Sequence, residues 1–262
     1  MKRLFSSLIL AAVFAGLALA QSSVSPDGTE IMKKVLSQSN WKDMSGDLVL
    51  TLTTSRHETR IRNMKFYSKK KSENESMMLI KIIAPADVRG TAFLTIEHQN
   101  RDDDRYLYLP ALRRVKKITA SGKGGNFMSS DFTYYDIGKP KLNDWKYKRL
   151  ADETVEGHKC FVVEASAATP KITKDTGYSK IIRWIRKDTF TTCKAVFFDR
   201  EGKKWKTLSV PEVQKFNGVW FSTVMIMHDL QLDHTSKMTF KGLKINTGVP
   251  GKFFTVRYLQ RG

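Results

Sequence analysis

The chain has 262 residues, 41% of them hydrophobic, and a formal charge of +19 at pH 7. That length suffices for one domain with a sizeable core, and the charge predicts attraction to anionic surfaces. Only two cysteines are present, which excludes a disulfide-built scaffold.

The N-terminus reads as an export signal. Lys2 and Arg3 precede an apolar run from Leu8 to Leu19, too short to span a bilayer comfortably, and Ala18-Leu19-Ala20 has the small-x-small pattern of a cleavage site. Residues 1–20 are therefore expected to be a cleavable signal peptide, with residues 21–262 as one exported, soluble domain. Removing the charges of Lys2 and Arg3 lowers the formal charge to +17. In an exported protein nucleic acid is not an expected partner; anionic lipid headgroups or an acidic protein are.

One helix opens the mature chain, spanning residues 28–39. Asp27 is its expected N-cap, with Glu30 three residues on and Ile31, Met32, Val35 and Leu36 as an apolar stripe. From Gly46 the pattern becomes alternation. Leu48, Leu50 and Leu52 alternate with Val49, Thr51 and Thr53. Strands follow at 60–68, with Ile61, Met64 and Phe66 apolar, at 77–83, stopped by Ala84-Pro85, and at 91–98 and 105–109. After a long loop come strands at 145–150, 158–165, 178–186, 193–199, 203–210, 219–230 and 235–246, with Asn217-Gly218 as the strongest hairpin signal. The chain closes on Phe253, Phe254 and an apolar stretch from Val256 to Leu259.

About eleven strands joined by short turns predict a mainly β fold, a single antiparallel meander. A meander this long has to curl, which makes it an incomplete β-barrel with a concave inner face that something must fill. The helix is too small to fill it alone. Residues 121–136 supply the rest, because that Gly-rich loop carries Phe127, Met128 and Phe132, and connecting loops ordinarily stay polar. Cys160 and Cys193 fall in strands separated by a third. In a flat meander they stand about 10 Å apart and cannot bridge, so two buried free thiols are expected.

Catalytic patterns are missing: there is no Gly-x-Ser-x-Gly, no His-Glu-x-x-His and no phosphate-binding glycine loop in a strand–loop–helix context. Gly122-Lys123-Gly124-Gly125 resembles a phosphate cradle in composition alone. His228 and His234 flank a turn, but no third ligand accompanies them, and solvated turn histidines are the better reading. Asp102-Asp103-Asp104 lacks the spacing of a calcium loop. No enzyme activity, metal or cofactor is expected.

Methionine is the more informative residue. Met32, Met64, Met77, Met78, Met128, Met225 and Met227 join many Phe and Leu residues on strand faces, and methionine adapts to irregular apolar ligands. Strand alternation places Leu48, Leu50, Leu52, Met64, Phe66, Met78, Ile80, Ile82, Leu94 and Ile96 on the inner face, with Phe127, Met128 and Phe132 closing the mouth. Arg113, Arg114, Lys116 and Lys117 form the basic segment of greatest interest. They suit contact with an anionic membrane or partner, and equally a charged strand edge that resists sheet-to-sheet pairing.

The run Tyr108-Leu109-Pro110-Ala111-Leu112-Arg113-Arg114-Val115, followed by Asn126-Phe127-Met128-Ser129-Ser130-Asp131-Phe132, resembles the LolA-like outer-membrane lipoprotein-sorting proteins, in the branch associated with RND/MMPL-type exporters. Pro85-Ala86-Asp87-Val88-Arg89-Gly90-Thr91-Ala92-Phe93-Leu94, the Gly157…Cys160 strand, residues 178–184, Phe198-Asp199 and the closing Phe254…Leu259 agree in order, so the likeness covers nearly the whole mature chain. The resemblance implies a half-barrel with a helical lid that carries the acyl chains of a lipid or lipoprotein across the periplasm towards the outer membrane. The alternative is an adaptor that serves an RND-type exporter through its basic surface.

Overall fold

A computed structural model describes residues 25–38, 41–72 and 75–261. The expected signal peptide lies outside these residues. Helix α1 (Gly28–Ser37) begins with the capping box expected of Asp27 and Glu30 and buries Ile31 and Met32. Strands β1 (Asp43–Thr53), β2 (Thr59–Lys70), β3 (Ser76–Ala84), β4 (Ala92–Ile96), β5 (Asp104–Leu109) and β6 (Arg114–Ile118) follow, each beside the last. The segment 119–144 contains the one-turn helix α2 (Tyr134–Ile137). Next come β7 (Trp145–Arg149), β8 (Glu153–Val155), β9 (His158–Ala167), helix α3 (Pro170–Thr176), β10 (Lys180–Arg186), β11 (Thr192–Phe198), β12 (Lys204–Phe216), β13 (Val219–Asp229), β14 (His234–Ile245) and a terminal helix, α4 (Val256–Arg261).

All the strands join one 14-stranded antiparallel sheet, in the order β6-β5-β4-β3-β2-β1-β14-β13-β12-β11-β10-β9-β7, with β8 paired to β9. The sheet is open: its ends are β6 and β7, and segment 119–144 is the link between those two edges. The count exceeds the expected eleven or so because β6 and β8, five and three residues long, are too short to show alternation, and β6 is mostly basic. The closing stretch 256–261 is a helix.

In the middle of the sheet, β1 lies between β2 and β14, so that Leu48 faces both Met64 and Phe240, and Leu50 faces Met238. The same inward row continues through Phe66, Ile80 and Phe93. These residues form the main core with Phe127, Phe132, Tyr135 and Tyr178. The outer face of β3 and β4 carries a second core of Leu79, Leu94, Val249, Phe254 and Leu259, covered by the C-terminal segment. Leu94 and Ile96 belong to this outer layer, which corrects the expected inward placement. Residues 92–96 are covered on both faces, and period-2 alternation carries no parity where both faces are apolar.

The two cysteines are the buried free thiols expected, but not at the expected separation. Both are buried and unbridged, yet their Sγ atoms lie 3.4 Å apart. The register of β10 and β11 shifts where Cys193 sits, between Trp184↔Lys194 and Ile185↔Thr192, and a bulge bends its strand. The distance estimate assumed a flat, regular meander. Burial and the neighbouring thiol push Cys193 up to about 12, which keeps it protonated and slows exchange. Prolonged exposure of the purified protein to glutathione disulfide is expected to join the pair, with loss of two hydrogens by intact mass. Two thiols still alkylatable after denaturation would show that the sheet cannot close the remaining gap.

Candidate functional site

Between the inner face of the sheet and segment 119–144 lies an apolar cavity of about 210 Å³. Leu48, Phe66, Met78 and Ile80 form one wall, from β1 to β3. Phe197, Leu208, Met225, Met227, Met238 and Phe240 form the other, from β11 to β14. Phe132, Tyr135 and Ile137 make the roof. Phe240 meets Phe66 and Phe221 edge-on, with centroids 5.2 and 5.1 Å apart. Four methionines in one lining give a deformable surface suited to flexible apolar chains.

The expected site residues divide by position. Leu48, Phe66, Met78, Ile80 and Phe132 line the cavity. Leu50, Met64 and Ile82 are buried in the same core, and Leu52 packs against it, without lining the space. Phe127 is a plug: it is fully buried, T-shaped against Phe93 (5.4 Å) and Tyr134 (6.0 Å). Met128 is also buried. Arg113, Arg114, Lys116 and Lys117 are exposed, at and along the free edge β6, and none lines the cavity. The whole wall from β11 to β14 was absent from the expected set. Met225 and Met227 were the one signal for it, since the pairing of β1 with β14 joins segments about 200 residues apart in sequence.

The lid is pinned at several points. The Arg62 guanidinium donates to the Met128 carbonyl. The Asp131 N–H donates to Ser236 Oγ (2.9 Å), whose hydroxyl donates back to Asp131 Oδ2 (2.5 Å), and Lys206 Nζ donates to the Asp131 carbonyl (2.6 Å). Burial lowers the Lys206 pKa against the opposing pull of Asp136, Asp229 and Asp131, and burial raises that of Asp131. Met128 and Ser129 have φ of 46° and 56°, a left-handed backbone that non-glycine residues adopt only under tertiary constraint. Gly124 lets the lid close against α3: a Cβ there would lie 2.8 Å from the Thr176 carbonyl oxygen. This close approach, and not phosphate binding, accounts for the glycine.

Two other clefts, of about 410 and 700 Å³, flank the 97–104 hairpin. They are lined by charged groups that satisfy one another. Asp103 pairs with Arg105 (2.7 Å) and Lys141 (3.6 Å), and hydrogen bonds from Arg101, then from His98 and Lys117, hold Asp104 well below the usual carboxylate range. His228 bonds Thr235 Oγ1 at 3.0 Å. Among the described residues no three His, Cys, Asp or Glu side chains gather as a metal site. No described helix is long and apolar enough to cross a membrane.

The fold has solved relatives. An outer-membrane lipoprotein-sorting protein domain, so assigned, from Vibrio parahaemolyticus is 30% identical, with a TM-score of 0.83 over 89% of this chain and 98% of that one. A DUF1329 family protein from Desulfovibrio piger is 27% identical (TM-score 0.82; 88% and 97% covered). A LolA superfamily protein from Nitrosomonas europaea shares the fold at 19% identity (TM-score 0.69; 89% and 100% covered). Residues 74–261 match the model of a family described only as "-like: Uncharacterized protein". Among curated proteins none matches the chain.

Proposed function

The chain belongs to the LolA-like family of outer-membrane lipoprotein-sorting proteins, a family of carriers and not of enzymes, and from that membership we propose that it is a periplasmic carrier of acyl chains. The observation that carries this reading is the methionine- and phenylalanine-lined cavity under a latched lid. Burial of each acyl methylene is worth about 0.8 kcal/mol, so a dozen supply roughly 10 kcal/mol before the cost of immobilising the chain. The cavity is smaller than the roughly 300–1,000 Å³ usual for ligand sites, so a full chain enters as the lid lifts. The bonds of Arg62, Ser236 and Lys206 to the lid are what that movement breaks. Cargo is then delivered towards the outer membrane.

Solvent extraction of the natively purified protein is expected to release lipid, and the stripped protein is expected to take up a fluorescent fatty acid. Failure of both would sink the carrier reading. Leu112, 68% exposed beside Arg113 and Arg114, favours a second reading, an adaptor docked on an RND-type exporter or on an anionic membrane. Charge reversal at Arg113, Arg114, Lys116 and Lys117 separates the two: an adaptor loses its partner and keeps its lipid.

A further inference from the structure

The apolar cavity has one polar end. Arg183 lines it from β10, where the inward row reads Ile181, Arg183, Ile185, a cation between two fully buried aliphatic residues. Among the described residues no carboxylate stands within 4.0 Å of its guanidinium, and no acceptor bonds it. Its register neighbours are Val163 on β9 and Ala195 on β11, neither of them acidic, and Glu164 lies on the opposite face of the sheet, where it pairs with Lys180 at 3.6 Å. Asp136 lines the same cavity, but its Oδ2 already accepts from the Thr133 N–H (2.8 Å), the Thr133 hydroxyl (2.8 Å) and the Tyr178 hydroxyl (2.9 Å).

One phenol, Tyr135, lines this end, and a second, Tyr147, packs against the same core without lining the cavity. The Tyr147 hydroxyl is buried and has no partner among the described residues. Tyr135 accepts from Trp145 Nε1 at 2.8 Å, and its own O–H has no acceptor among those residues. Burial raises both phenols, Tyr147 up to about 12, with the charge of Arg183 working against the rise in each, so both remain donors. Arg183, partly buried and facing the cavity without an acceptor, stands with the unused Tyr135 O–H as a pair of donors suited to an anion.

We propose that Arg183 and Tyr135 receive the anionic head, a carboxylate or phosphate oxygen, of a lipid whose acyl chain lies in the apolar cavity. This rests on the carrier reading and narrows it: the cargo class is an anionic lipid, in preference to the neutral ester- and amide-linked chains of a lipoprotein.

Displacement of a fluorescent fatty-acid probe from the stripped protein by hexadecanoate, hexadecyl phosphate and hexadecanol tests it. Both anions are expected to bind about ten- to a hundredfold tighter than the alcohol, the worth of a hydrogen bond to a charged group. Arg183→Met should abolish that ratio, Arg183→Lys should restore part of it, and Tyr135→Phe should reduce it less. Tighter binding of hexadecanoate assigns the site to free fatty acids, and tighter binding of hexadecyl phosphate assigns it to phospholipid-like heads. Equal affinities of the three ligands for the unaltered protein overturn the proposal and leave the carrier reading standing, whether or not the variants fold. A ratio unchanged in a folded Arg183→Met protein overturns it equally. Binding of none of the three removes the carrier reading itself.

Discussion

Replacing Phe127 with alanine is expected to cost about 3–5 kcal/mol of folding stability and to lower the melting temperature by about 10 °C. The ring is fully buried between Phe93 and Tyr134, and its carbonyl accepts both the Ser130 N–H (2.9 Å) and the Ser130 hydroxyl (2.6 Å). The next two residues hold a left-handed backbone, so the lid tip cannot collapse into the space without losing the geometry that presents the Met128 carbonyl to Arg62. A cavity left by an immobile neighbourhood is the costly kind. Phe132→Ala is the internal comparison. That ring borders a space that is already empty, so its loss costs less stability and alters ligand uptake more. Thermal unfolding of the two variants checks the ranking. A Phe127→Ala protein within 1 kcal/mol of the parent would mean that the lid is held by its polar contacts alone.

The second large effect concerns the cavity itself. Met225→Trp is expected to reduce fatty-acid uptake by more than tenfold while moving the melting temperature by only a few degrees. Met225 is half-buried on β13 and faces the cavity, so the larger side chain grows into the 210 Å³ of free space and not into packed neighbours. It therefore escapes most of the usual cost of overpacking, about 1–3 kcal/mol. Leu94→Ala should do the reverse. That residue is buried on the outer face beneath Phe254 and Leu259, and its loss should lower stability by about 2–5 kcal/mol with no change in uptake per folded molecule. Uptake unaltered in Met225→Trp would place any bound chain elsewhere on the protein.

The contrast between Leu48 and Leu94 shows where sequence reasoning reaches its limit. In β1 and β2 most of the inward residues were legible, because Leu48 and Phe66 occupy strands whose buried positions alternate and report the core face. In β4 alternation vanishes, because the second cover comes from residues 250–259. Arg183 was missed for a related reason. A basic residue in a strand is read as solvent-facing, and only the register of β9, β10 and β11 places it on the inward row.

The sequence by itself determined the capped first helix, the antiparallel meander with its Asn217-Gly218 hairpin, and a loop whose Phe127, Met128 and Phe132 had to be buried. These follow from local rules of capping, turn chemistry and strand period, which act over a few residues. Tertiary structure alone decided that β1 pairs with β14, completing the cavity with Met238 and Phe240, and that Cys193 comes within contact of Cys160. It also decided that Phe127 plugs the core while Phe132 roofs the space. Each of these depends on how far the sheet curls and on which distant segments meet, and a periodic pattern carries no record of either.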